Sequence, residues 1–406
     1  MTARSGIVIT GRGMVTPAGS GVDENWKRVS AGEPTAVLGP DLGVLGTQVV
    51  CPVTDFDASL HLGPGARRLD RYSQLCAVAA DEAVADAGLR TGEWDGARVA
   101  IVLGVSVGGV ETLTAQHVAL LERGPAAISP LTMPMSLVNM VAGQLAIRLS
   151  ATGPNLTVST ACASGATAIG TAMQLLRANA CDIAIAGASD ASLVPLVLSA
   201  FARMGALTKR SADPARASRP FDRDRDGFVA AEGAAIVVLE REDDARARGA
   251  SVRGRILGYG ATSDAHHVTS PHPEGTGARA AMTAALADAG LSAADVGHLN
   301  AHGTSTRLND QAEAKAVRAV LGDQVPVAST KGVTGHLLAA AGAAETVYAS
   351  LSIEHGLVPP TANLDTVDPE IGLNLAAVPR RQSIQVAMST SFGFGGQNAA
   401  LLIGAP

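Results

Sequence analysis

Two stretches far apart in this chain follow one pattern. Gly227-Phe228-Val229-Ala230-Ala231-Glu232-Gly233-Ala234-Ala235-Ile236-Val237-Val238-Leu239 sets aromatic, small and polar residues ahead of Ala-Ala and an aliphatic run. Ser391-Phe392-Gly393-Phe394-Gly395-Gly396-Gln397-Asn398-Ala399-Ala400-Leu401-Leu402-Ile403 repeats that arrangement. The opening Ile7-Val8-Ile9-Thr10-Gly11 likewise has a counterpart in Gly254-Arg255-Ile256-Leu257-Gly258-Tyr259-Gly260, in the same order. Each match is weak alone. Their shared order predicts two related halves, residues 1–252 and 253–406, dividing after a charged helix at residues 240–248. In both halves apolar runs of strand length, such as Val99-Ala100-Ile101-Val102-Leu103-Gly104 and Asp182-Ile183-Ala184-Ile185-Ala186-Gly187, alternate with alanine-rich helical stretches such as residues 74–87. That alternation predicts an α/β architecture with buried strands.

At 406 residues the chain is long enough for two core-building units. Hydrophobic residues make up 47% and charged ones 17%, which excludes a disordered chain. Aromatics are only 3% while glycines number 45, so backbones must approach closely where large side chains are missing. A formal charge of −6 leaves no basic footprint for nucleic acid and no polybasic membrane patch. Cys51, Cys76, Cys162 and Cys181 form no CxxC pair, as expected of a reduced intracellular chain without disulfides or structural zinc. Residues 1–6 run straight into an apolar strand too short for a signal sequence, expected to stop at Thr10 before Gly11-Arg12-Gly13. No window reaches the roughly 18 uninterrupted apolar residues of a spanning helix. A soluble, cytoplasmic protein is expected. Residues 31–65, punctuated by Pro34, Pro40, Pro52 and Pro64, are expected to be loops over an entrance. Residues 130–149 are apolar on most sides, which suits a subunit interface.

The chemistry starts at Thr157-Val158-Ser159-Thr160-Ala161-Cys162-Ala163-Ser164-Gly165-Ala166. A short β-branched run leads into small residues and then a helix whose buried stripe is Ala166, Ile169, Gly170, Met173 and Leu176. Cys162 stands at the elbow, at the positive end of the helix dipole, a placement that favours thiolate over thiol. A free cysteine is more often a structural, buried residue than a nucleophile. The elbow alone therefore leaves both open. Three further stretches carry reactive residue types: Asn300-Ala301-His302-Gly303-Thr304, Ser329-Thr330-Lys331-Gly332-Val333-Thr334-Gly335-His336, and the glycine-rich Phe392-Gly393-Phe394-Gly395-Gly396. As a zinc pair, His302 and His336 lack a third ligand at a characteristic spacing. His266, His267 and His272 lie in a polar loop that reads as solvated, as does the charged segment 218–226.

Taken in this order, Thr160-Ala161-Cys162, Ser218-Arg219-Pro220-Phe221-Asp222, Asp226-Gly227-Phe228, His302, Lys331, Gly335-His336 and Phe392–Gly396 resemble the β-ketoacyl-acyl-carrier-protein synthases. The likeness is to the long-chain elongating ketosynthases of dissociated (type II) fatty-acid and polyketide systems, and it runs essentially from Ile7 to Ile403. The resemblance implies a thiolase-like fold, two halves forming a five-layered αβαβα sandwich. It implies a decarboxylative condensation of an acyl-cysteine with malonyl carrier protein, without metal or organic cofactor. Cys162 would be the nucleophile, and His302 and His336 would donate hydrogen bonds to the malonyl thioester oxygen. Lys331 would support them electrostatically, with Glu345 as its carboxylate partner. The N–H groups of Cys162 and Phe394 would form the oxyanion hole, Phe394, the second Phe of its mobile glycine-rich loop, would also gate the cysteine, and Phe392 and Gly395 would support it.

The same resemblance places Val107, Thr132 and Met133 along an acyl tunnel, the latter two through a partner subunit. Acyl carrier protein is acidic, so its dock must be a local basic patch: Arg67, Arg68 and Arg71 with Arg203, Lys209 and Arg210. Partners are thus acyl carrier protein and either a second copy or a chain-length-factor-like homologue. A non-catalytic chain-length factor would lack Cys162, and a thiolase would carry a second cysteine near the C-terminal glycine loop, which has none. Gln397, where relatives have Thr or His, and Leu131-Thr132, where many are aromatic, point towards a specialised polyketide or polyene pathway. Housekeeping fatty-acid elongation is the alternative.

Overall fold

A computed structural model describes residues 6–406; residues 1–5, read above as leading into the first strand, lie outside them. The first half supplies strands β1 (Ile7–Thr16), β2 (Val37–Asp41), β3 (Thr47–Cys51), β4 (Val99–Gly104), β5 (Asn155–Val158), β6 (Ile183–Asp190) and β7 (Gly233–Arg241). The second supplies β8 (Gly254–Ser263), β9 (His298–Asn300), β10 (Pro326–Ala328), β11 (Val386–Gly393) and β12 (Gln397–Gly404). Across the main sheet the first half runs β1-β7-β6-β4-β5 and the second β8-β12-β11-β9-β10, with the short strand Asn374–Leu375 beyond β10. The two sets match pair for pair. In each, the first two pairings are antiparallel and the next two parallel. Even the register shift recurs, between Ile9 and Gly11 in β1 and between Ile256 and Gly258 in β8. β1 and β8 also pair with each other, at Ile7↔Ile256 and the next two positions, so the halves share one hydrogen-bonded ladder.

The helices that matter for the site are α1 (Val22–Ala31), α2 (Arg71–Asp86), α3 (Val110–Arg123), α4 (Thr132–Ser136), α5 (Met140–Leu149), α6 (Ser164–Arg177), α7 (Pro195–Arg203), α8 (Thr276–Ala289), α9 (Arg307–Leu321) and α10 (Ala341–His355), with short helical turns at Ala58–Leu62, Glu242–Ala247 and Lys331–Thr334 besides. α2 covers the outer face of the first strand set and α8 that of the second, while α6 and α10 lie between them. This gives the five layers. Every residue of α10 from Ala341 to Ile353 is buried, as expected of a helix enclosed on all sides. α6 buries its stripe of Ala166, Ile169, Gly170, Met173 and Leu176. None of the helices is long and apolar enough to cross a membrane, among the described residues.

Three expectations are corrected. β1 does not stop at Thr10 but runs to Thr16 through both glycines. A side chain at Gly13 would lie 1.9 Å from the carbonyl oxygen of Ala79 on α2, so the glycines mark close packing and not a turn. Gly260 repeats this against Ala281 of α8, at 2.1 Å. Residues 31–65 are also not simply loops: β2 and β3 pair antiparallel, β3 pairs parallel with Ala230–Ala231, and Ala58–Leu62 is helical. The prolines interrupt these elements without excluding them. Finally, segment 218–226 is solvated only at Arg223, Asp224 and Asp226; the rest is buried. Arg225 is fully buried against Asp310 (3.3 Å) and Asp368 (2.7 Å), and Arg219 pairs with Asp222. Asp222 in turn accepts the backbone N–H groups of Asp365 and Thr366, both at 2.9 Å. Charged residues in alternation resemble a wet surface in sequence, and only their tertiary partners reveal a buried network.

Gly13→Ala should lower unfolding stability by about 3 kcal/mol, because the nearest atoms are backbone and cannot turn aside. Gly65→Ala, where nothing lies within 4 Å, should leave it nearly unchanged. Paired denaturation curves with equal slopes check this; equal midpoints would refute the packing account.

Candidate active site

The elbow between β5 and α6 is tight. Ala161 takes φ +48°, a left-handed conformation that costs a non-glycine residue roughly 1 kcal/mol or more. Gly393 at the end of β11 lies against this backbone; a side chain there would come within 2.5 Å of the Thr160 oxygen. Cys162 is thereby held at the wall of a cavity of about 800 Å³. His302, His336, Phe392 and Phe394 line the same cavity.

His302 follows β9, and its loop is pinned from beneath by Glu313 of α9. One Glu313 oxygen accepts the His302 N–H and the Thr390 hydroxyl, and the other accepts the Gly303 N–H, all at 2.8 Å. Lys331 follows β10 and is buried. Its Nζ donates to the His302 carbonyl at 2.7 Å, lies 3.3 Å from His302 Nδ1 and forms a close ion pair with Glu345 of α10. His336 sits one residue beyond Gly335 (φ +66°), with its N–H bonded to the Val229 oxygen at 2.8 Å. The two imidazole centroids are 5.2 Å apart. Phe392 stands edge-on to His302 at 5.6 Å, and Phe394 packs near Phe201 at 6.4 Å. The Gly395 N–H donates to the Val268 carbonyl at 2.8 Å, tying the glycine loop to residues 264–272.

An ammonium has only donors, so the lone pair of His302 Nδ1 faces Lys331 and the ring proton resides on Nε2. Burial, with Lys331 and His336 adding to it, holds His302 well below the usual imidazole range; burial and then Lys331 do the same for His336. Both rings are therefore neutral near pH 7. They act as hydrogen-bond donors and not as cations. Burial pushes Glu345 up to about 7 against the pull of Lys331, and Glu313 up to about 7 against its three donors.

The thiolate expectation is corrected. Burial pushes the Cys162 thiol up to about 12, and the opposing pull of Lys331 does not offset it; Asp190 and Glu345 push further upward. Desolvation is the largest influence on the sulfur and opposes its ionisation.

Val107 lines the cavity; Thr132 and Met133, expected to act through a partner subunit, lie on α4 outside the lining of this chain's own cavity, and Met133 is 54% exposed. Gln397 is not among the lining residues although its neighbours Gly396 and Asn398 are, so its departure carries no direct message about the acyl chain. Arg67, Arg68, Arg203 and Lys209 are exposed. Arg71 is not a free docking cation: both Glu232 oxygens accept from it at 2.7 Å, and it also donates to the Val53 oxygen and lies over the Phe56 ring. Arg210 is likewise engaged, donating to the Asp224 oxygen at 2.7 Å beside Asp226. His266 and His267 are exposed, and the cavity meets that loop at Asp264, Thr269, Ser270 and Pro271 instead. Sequence reasoning missed Glu313, which shares a buried face of α9 with Asp310, Ala314 and Val317. Two carboxylates on an apolar helical stripe were the available signal. Among the described residues no group of three His, Cys, Asp or Glu is placed to hold a metal.

The chain matches the family described as Beta-ketoacyl synthase, N-terminal domain, over residues 4–245, and Beta-ketoacyl synthase, C-terminal domain, over residues 253–365. It is 40% identical over 407 residues to the 3-oxoacyl-[acyl-carrier-protein] synthase 2 of Vibrio cholerae serotype O1, covering 98% of each chain. Among solved structures it superposes on the ishigamide ketosynthase/chain length factor with a TM-score of 0.93 and 32% identity, covering all of both chains. It also superposes, at TM-score 0.90 and 31% identity over 99% of this chain and all of the other, on a chain from a type II PKS acyl-carrier protein in complex with its ketosynthase bound to the hexaketide.

Removing Lys331 should make Cys162 still harder to ionise. In Lys331→Met the cation is lost and Glu345 becomes a neutral acid; the lost pull exceeds the lost push, since Lys331 acts more strongly on the sulfur than Glu345 does. Alkylation of Cys162 by iodoacetamide at pH 8 should slow on the order of 10-fold, one pKa unit. A faster reaction, or a profile shifted to lower pH, would contradict this electrostatic account.

Proposed function

The chain belongs to the β-ketoacyl synthase family, and we propose that Cys162, His302, His336 and Lys331 carry out its condensation. It is a 3-oxoacyl-[acyl-carrier-protein] synthase, an acyltransferase of fatty-acid or type II polyketide synthesis. The observation that carries the assignment of roles is one cavity lined jointly by the sulfur nucleophile and two neutral imidazoles. The halves divide at 252/253, a reading supported by the matched strand orders.

In the first step the Cys162 sulfur attacks the thioester carbonyl of acyl carrier protein and gives up its proton. The tetrahedral oxyanion takes hydrogen bonds from the N–H groups of Cys162 and Phe394, and collapse breaks the carbon–sulfur bond to the carrier, which leaves as a thiol carrying the proton Cys162 lost. In the second step malonyl carrier protein loses CO₂. The electron pair of the broken carbon–carbon bond becomes an enolate, whose oxygen accepts from His302 and His336. The enolate carbon attacks the acyl group on Cys162, a new carbon–carbon bond forms, and the sulfur departs. Lys331 fixes the His302 proton on the side facing the cavity, Glu345 balances its charge, and Phe392, Phe394 and Gly395 form the gate. The carrier docks on Arg67 and Arg68 with Arg203 and Lys209; Arg71 and Arg210 belong to the scaffold. Thr132 and Met133 reach the tunnel of a partner subunit across an interface formed by residues 130–149, where Met133, Leu137 and Val138 are exposed in the single chain. A soluble, cytoplasmic enzyme is the reading we adopt. Fatty-acid elongation in a homodimer fits the curated relative at 40% identity. A polyketide heterodimer is the second reading, favoured by the likeness to the ishigamide ketosynthase/chain length factor.

Incubation with acyl carrier protein should add one acyl group to the wild-type chain by intact mass. None should add to Cys162→Ala, and Cys162→Gln should still decarboxylate malonyl carrier protein because the imidazoles remain. An acyl adduct on Cys162→Ala would overturn the assignment. Arg67→Glu with Arg68→Glu should raise KM for the carrier by about tenfold or more and flatten its salt dependence. An unchanged KM would remove these residues from the dock.

A further inference from the structure

Asp190, the last residue of β6, is fully buried, and the condensation above does not use it. Among the described residues no Lys, Arg or His pairs with it. It is surrounded by donors instead: the hydroxyl of Ser106 is in close contact with one carboxylate oxygen, the Ser192 hydroxyl lies 2.7 Å from the other, and the backbone N–H of Ala339 approaches at 3.4 Å. The Ser106 backbone N–H contributes as well. Two backbone N–H groups can only donate, so the arrangement is that of an acceptor, and the Ser106 hydroxyl spends its proton on Asp190. Ser106 is also part of the cavity wall, beside Val107 and on the same cavity as Cys162. Burial holds Asp190 above the usual carboxylate range, with the hydrogen bonds from Ser106, Ser192 and Ala339 opposing it. The wall of the cavity that holds Cys162 therefore also carries a serine whose hydroxyl proton is committed to Asp190, so that acceptance by its oxygen is the hydrogen-bonding capacity it has left.

A tunnel for plain hydrocarbon gains nothing from such a group, since a polar atom desolvated against an alkyl chain loses its hydrogen bond to water. We propose that Ser106, oriented by Asp190 and Ser192, is a specificity residue that accepts a hydrogen bond from a hydroxyl on the acyl chain carried by Cys162. The proposal rests on the elongating ketosynthase reading and adds the class of its acyl substrate: chains that keep a donor. Ser106 recognises the substrate directly. Asp190 is a positioning residue that acts through it.

The experiment loads purified full-length enzyme with equal mixtures of pantetheine thioesters of one chain length. The chains are unsubstituted, hydroxylated at successive odd-numbered carbons from the third, or methoxylated at the same carbons, and adducts on Cys162 are read by intact mass. One hydroxylated chain should be loaded about tenfold over both its methoxy and its unsubstituted counterparts, because only the hydroxyl donates. Ser106→Ala should erase that ratio and Ser106→Thr, which keeps the hydroxyl, should retain it. Equal loading of all three chain types by the wild type overturns the inference, as does a preference that survives Ser106→Ala. Should Ser106→Ala fail to fold, the wild-type ratios and Ser106→Thr still decide. Failure of every chain to load would sink the ketosynthase roles themselves, an outcome distinct from loading without discrimination.

Discussion

The active site depends on how closely two buried helices can approach. Gly165 on α6 and Gly342 on α10 face each other's backbones: a side chain at Gly165 would lie 2.6 Å from the Ala343 nitrogen, and one at Gly342 would lie 2.9 Å from the Ala166 nitrogen. Neither leaves room for a methyl group. α6 begins two residues after Cys162, and α10 carries Glu345. Close packing of small residues thus sets the distance between a nucleophile from the first half and an ion pair from the second. Low aromatic content and abundant glycine are the compositional trace of this constraint.

That geometry forces an electrostatic compromise. A buried Lys331 without a counter-charge would be costly, and Glu345 reduces the cost by forming a neutral pair. The pair's residual field is too weak to hold Cys162 as a thiolate, since raising the thiol from 9.0 to about 12 opposes ionisation by on the order of 4 kcal/mol. The resting site holds a thiol, two neutral imidazoles and a balanced ion pair. Charge appears only during reaction, on oxygens that meet fixed N–H donors. Donors aimed in advance at a developing charge need no reorganisation when it forms, which is where such sites gain most.

The sequence revealed the repeat, the nucleophile elbow and the His–Lys–His set, because each rests on local pattern or on order along the chain. It misread features whose meaning lies in tertiary partners. Gly11 and Gly13 look like a strand terminator until the Ala83 and Ala79 carbonyls of α2 are seen against them. Arg71 and Arg210 look like surface cations until Glu232 and Asp226 are placed beside them. The helix-dipole argument for Cys162 failed for a related reason. A helix terminus can be read from sequence, whereas the desolvation opposing it depends on every layer that covers the sulfur. Glu313 is the converse case, a carboxylate three residues after Asp310 in a helix that sequence treats as amphipathic. Only the contact with the His302 loop distinguishes a pinning residue from an ordinary helical acid.

The duplicated strand order also explains why reactive side chains from both halves meet at one cavity. Corresponding strands end at corresponding places: β4 leads to Ser106 and Val107, and its counterpart β9 leads to His302. β5 leads to Cys162, and its counterpart β10 leads to Lys331 and His336. All four are parallel strands, and in parallel sheets the loops beyond the carboxyl ends are where functional residues gather. Joining the halves through β1 and β8 brings both sets of carboxyl-end loops onto one cavity. Cys162 and Val107 thus reach that cavity from the first half, and His302 and His336 reach it from the second. A condensation needs two such sites facing each other. A repeated half that differs only in its strand-end residues supplies both without a second scaffold.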